Sequence, residues 1–65
     1  TLNDAAEAFR DLEFAFIEAE ARAVSAFQRH GPGSKEYKNA HEFRLGIHAQ
    51  RHEAWDNLRK AAMAL

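Results

Sequence analysis

Three of the chain's four histidines fall within HEFRLGIHAQRH, the stretch from His41 to His52. His48 and His52 are four apart, which puts both imidazoles on one face of a helix. His41 lies two turns earlier. Such spacing could serve a metal, a pH switch, a nucleic-acid face or a polar seam between helices.

A metal site needs more than two imidazoles. The zinc-protease pattern has Glu directly after the first His, and here Ala49 follows His48. The di-iron bundle pattern Glu-x-x-His does not occur. Arg44 and Arg51 stand among the histidines and oppose a cation. His48 and His52, with Glu13 or Glu20 approaching from the first half of the chain, leave a His-based metal-binding bundle as an alternative, but no metal or other cofactor is expected. A pH role has a simpler requirement. Histidines placed in an interface would gain charge in mild acid and loosen it.

Nucleic acid is the next alternative. Lys35, Lys38, Arg44, Arg51, Arg59 and Lys60 give the second half of the chain a basic balance against Glu36, Glu42, Glu53 and Asp56. A helical dimer could bind nucleic acid through such a face, with strongly salt-dependent affinity. Interleaved acids blunt the field, and the formal net charge is −1. Nucleic acid is therefore not the expected partner.

Catalysis finds little to work with. There is no cysteine. Ser25 has no matched base, Ser34 suits a helix cap, and GPGSK lacks the spacing of a phosphate-binding loop. An enzyme is not expected.

These side chains must be positioned by helices. Gly31-Pro32-Gly33-Ser34 holds the only proline and two of the three glycines, so it marks a helix stop and restart. Asp4 with Glu7 resembles a capping box, which starts the first helix at about residue 4 and runs it to about 30. Gly31 suits the position after a helix end, and Ser34 suits the N-cap of a second helix over about 35–65. A loop of 31–34 makes the two helices antiparallel neighbours.

At 100° per residue the first helix carries a wide apolar face, including Leu2, Phe9, Leu12, Phe16, Ala23 and Phe27. Ile17 and Val24 extend one side. The second helix carries a narrower stripe through Ala40, Phe43, Ile47, Ala54, Leu58 and Leu65. The first face is wider than one partner helix needs. A chain of 65 residues also has little scope for a private core, and without disulfides oligomerisation is the usual remedy. The expected fold is all-α: an antiparallel two-helix hairpin that dimerises into a four-helix bundle. Gly46, in mid-helix, suggests a close approach or a slight bend.

Register follows from the short loop. In a hairpin centred near Pro32, facing residues have numbers that total about 64. Glu13 then meets Arg51, and Glu20 meets Arg44. Two cross-helix ion pairs are predicted on one side of the hairpin. Beside them runs a second row, Tyr37, His41, Arg44, His48, Arg51, His52 and Trp55, with Ile17 and Val24 on the same side. Tyr, Trp and Arg are the types enriched at protein interfaces. Phe14 points away and offers a contact to a different protein. The expected function is a small non-enzymatic interaction, assembly or regulatory module acting as a homodimer.

No apolar run has the length of a membrane span. The opening TLNDAAEAFRDLE is acidic rather than a basic signal-peptide start, so a cytoplasmic location is expected. The chain opens on Thr1 rather than Met, as a trimmed chain or a segment of a longer one would.

Overall fold

A computed structural model describes residues 1–65. It contains two helices, α1 (Leu2–His30) and α2 (Lys35–Met63), packed against each other. The long axis is 48 Å and the two short ones are 14 and 10 Å.

The start of α1 lies earlier than the Asp4 cap predicted from sequence. Thr1 is the N-cap: its hydroxyl accepts from the Asp4 N–H at 3.2 Å, and Asp4 answers as the acidic member of the capping box. Thr1-x-x-Asp4 and Asp4-x-x-Glu7 both fit the pattern, and the earlier box gains an extra turn of helix. At the other end Gly31 adopts φ 88°, and its N–H closes on the Phe27 carbonyl at 2.9 Å. That conformation suits a residue without Cβ.

Ser34 caps α2 as the sequence predicts. Its hydroxyl donates to the Gly31 carbonyl at 2.8 Å and accepts from the Tyr37 N–H at 3.1 Å. One side chain thus ties the end of one helix to the start of the next. The last turn ends at Met63, two residues short of the expected 65.

Shielded positions advance along α1 in alternate steps of three and four, from Leu2 through Phe9, Phe16 and Ala23 to Ala26. In α2 the same rhythm runs from Tyr37 through Arg44, Ile47 and Arg51 to Leu58 and Ala61. This is the spacing of helices that pack as a bundle. It corrects the predicted stripe on α2. Phe43 is 53% exposed, because it stands 100° round the helix from Arg44, which takes the seam position instead. A long aliphatic stem lets arginine line a seam while its head reaches water. Phe27 and Leu65, also assigned to the apolar core, are exposed. Phe27 is an edge position where no second layer covers it, and Leu65 lies beyond the last turn.

Gly46 makes no close approach. A Cβ built there meets nothing within 4 Å, and its φ is not positive. Gly46→Ala is therefore expected to raise stability by about 1 kcal/mol through helix propensity, read by denaturant unfolding.

Near the C-terminus Asp56 receives Lys60 at 3.0 Å and Arg59 at 2.9 Å. Hydrogen bonding from Lys60, then from Arg59, holds its carboxyl below the ordinary 3.8. A carboxyl with a lower folded pKa lends stability above its unfolded value and loses it as pH falls through the folded one. Asp56→Asn should lower the melting temperature near neutral pH. The gap from wild type should close below the ordinary carboxylate range.

Candidate interaction face

The two helices meet at one constant register. Phe9 packs on Trp55 with ring centroids 5.3 Å apart, and Phe16 meets the edge of His48 at 5.5 Å. Phe27 meets the edge of Tyr37 at 5.4 Å, and Glu13 bonds Arg51 at 3.1 Å. In all four pairs the residue numbers total 64, as the short loop requires. Small residues face large ones along this seam: the register sets Phe9 beside Ala54 and Ala26 beside Tyr37. Such alternation lets facing layers interdigitate.

Glu13 and Arg51 form one of the two predicted ion pairs. Their side chains are 40% and 30% exposed, so water screens the charges. Arg51 also lies over the Phe16 ring, 4.1 Å from its centroid, and its second nitrogen reaches His48 Nδ1 at 3.3 Å. It is thus held by an acid, an aromatic face and an imidazole. A double-mutant cycle on Glu13→Gln and Arg51→Gln should give a coupling of about 0.5–1 kcal/mol in their favour. A coupling of zero would mean that the two charges act independently.

The second predicted pair, Glu20 with Arg44, is not formed within the hairpin. Arg44 turns along its own helix instead and bonds His41 Nδ1 at 2.6 Å. Glu20 is exposed. The physical reason is proximity: an imidazole three residues back on the same helix needs no reach across the seam. A guanidinium can only donate, so His41 and His48 must accept at Nδ1 and carry their proton on Nε2. Tyr37 stacks on His41 at 5.8 Å. The His-x-x-Arg unit therefore occurs twice, seven residues apart, at 41–44 and 48–51.

Spacing by sevens puts Glu13, Glu20 and Phe27 of α1 on the same side of the hairpin as His41, His48 and Trp55 of α2. Two open clefts lie along it. One, of about 370 Å³, is lined by Phe9, Glu13, His48, Arg51, His52 and Trp55. The other, of about 210 Å³, is lined by Ala23, Val24, Phe27, Gln28, Tyr37 and Arg44. Ile17, Val24 and Trp55 are at least half exposed here. Phe14 stands apart on the outer side of α1, 62% exposed. Phe9 and Phe27 belong to this face as well, and the total of 64 was the signal that could have placed them there.

No group of three or more His, Asp or Glu side chains converges as a metal would need. His48 and His52 share a cleft, but the His48 Nδ1 is occupied by Arg51. No helix is long and apolar enough to cross a membrane. What the face offers chemically is contact: aromatic bodies, imidazole edges and guanidinium donors at partial burial. Comparison with protein-family models, with curated proteins and with solved structures gives no match.

Proposed function

We propose that the protein is a non-enzymatic helical assembly module that acts as a homodimer, two hairpins closing into a four-helix bundle. One observation carries this. No side chain larger than alanine is buried: Ala19, Ala23 and Ala54 are the whole of the core. Nine large apolar side chains stay about half exposed or more. A hairpin in that state has formed one half of an interior.

Size supports the same reading. The accessible surface is 4918 Å², against about 4,200 Å² for a compact protein of this mass. The excess, about 700 Å², is close to what each partner buries in a standard interface. The radius of gyration is 14.7 Å, where a compact chain of this length has about 11 Å and one of twice the length about 14 Å. The hairpin already has the length of the bundle it would complete.

The sole tryptophan makes this testable by dilution. Trp55 should emit at shorter wavelength in concentrated solution and shift to the red as the dimer dissociates. Emission that is independent of concentration, at the wavelength of exposed indole, would refute the homodimer.

Binding of nucleic acid has less support. Arg51, Arg59 and Lys60 already have carboxylate partners, which leaves fewer cations for phosphates. Phe14 lies outside the proposed bundle face and is offered to a different protein partner, the regulatory side of the same function.

A further inference from the structure

Two hairpins can stack face to face about a twofold axis in two ways, and their charges distinguish them. An axis parallel to the helices puts both loops at one end and lays α1 of each copy over α2 of the other at equal height. An axis across the helices puts the loops at opposite ends and lays α1 over α1 and α2 over α2, with heights reversed.

Heights follow from the register of the seam. Glu13 is level with Arg51, and Glu20 with Arg44. With loops at opposite ends, Glu20 would lie over the partner's Glu13 and Arg44 over the partner's Arg51. Like charge would sit on like charge at four places, and such juxtaposition is costly. With loops together, each acid lies over an arginine of the other copy. Glu13 and Arg51 of both copies then form an alternating square of charge.

On the homodimer reading above, we propose that a second copy docks on the face bearing Glu20, Arg44, His48 and Trp55 with both loops at the same end, so that Glu20 pairs with Arg44 across the interface. Arg44 is suited to it. One of its nitrogens serves His41, and a guanidinium carries five N–H donors. Glu20 has no ion-pair partner within its own hairpin. The cross-helix match legible in the sequence is thus made between copies rather than within one. The apolar layers agree: Phe27 of one copy lies level with Tyr37 of the other, and Phe9 with Trp55.

The test starts from Gly33→Cys. The chain has no cysteine of its own, Gly33 has open space around it, and its φ is not positive. A spin label there should show a dimer distance near two helix diameters, about 20 Å. A distance near the 48 Å long axis would overturn the arrangement while leaving the homodimer standing. A monomeric mass by light scattering would instead overturn the homodimer itself. The face is tested by Glu20→Arg, an exposed position whose substitution leaves the hairpin intact. The dimer should weaken at least about tenfold, and adding Arg44→Glu should restore it to within about threefold. A short label distance with no effect of Glu20→Arg would overturn this choice of face.

Discussion

Ala23→Asp should abolish the helical fold near neutral pH. Ala23 has no accessible surface and faces α2 near the level of Ala40. A carboxylate there must give up its water and push the two helices apart to fit, at a cost of about 3 kcal/mol. A native chain of this length holds only about 3–10 kcal/mol in total. Aspartate is too short to carry its charge out past the seam, as a longer side chain would. Far-ultraviolet circular dichroism should therefore show loss of most helix. Ala21→Asp is the control. Ala21 is exposed on the outer side of α1, so that variant shares the propensity cost and should stay folded.

The second large effect concerns Trp55. It packs on Phe9 within the hairpin yet remains 50% exposed, which leaves about 100 Å² of ring to be covered by a second copy. At about 25 cal/mol per Å², that surface contributes about 2.5 kcal/mol per copy. Both copies lose it in Trp55→Ala, so the dimer should weaken by about 5 kcal/mol, several thousandfold in dissociation constant. Sedimentation read against concentration measures it, with helix content followed in parallel because the Phe9 contact is lost too. Phe14→Ala removes a larger exposed fraction of an aromatic from the outer side and should change the constant less than about threefold. Equal effects from the two substitutions would place the interface elsewhere.

Much of the hairpin is legible in the residues. Gly31-Pro32-Gly33-Ser34 marks the turn because Gly31 takes a positive φ and Ser34 caps the next helix, and a turn so short fixes the register of everything that follows. Hence Phe9 with Trp55 and Glu13 with Arg51 can be paired from residue numbers alone. What is not legible is which of two adjacent residues takes the seam. Phe43 and Arg44 differ by 100° round the helix, and apolarity favours the wrong one, because a hairpin with one open side lets an arginine lie in the groove. Rotamer choice is equally hidden. Arg44 has an acid across the seam and an imidazole on its own helix, and sequence alone does not rank them. The N-cap shows the same degeneracy, since Thr1 and Asp4 each open a valid capping box.

The candidate face was legible as a row of residue types but not as clefts. Its depth depends on how Phe16 and Phe27 divide themselves between the seam and the open side, a packing outcome with no local signal. Its occupant depends on how much apolar surface stays uncovered, which only the folded hairpin reveals.

All of this rests on the hairpin being half of an interior. Sedimentation equilibrium of the unmodified chain at tens of micromolar tests that claim most directly. The account predicts a mass twice the 7.4 kDa of one chain. A stable, fully helical species of single-chain mass across that range would contradict it.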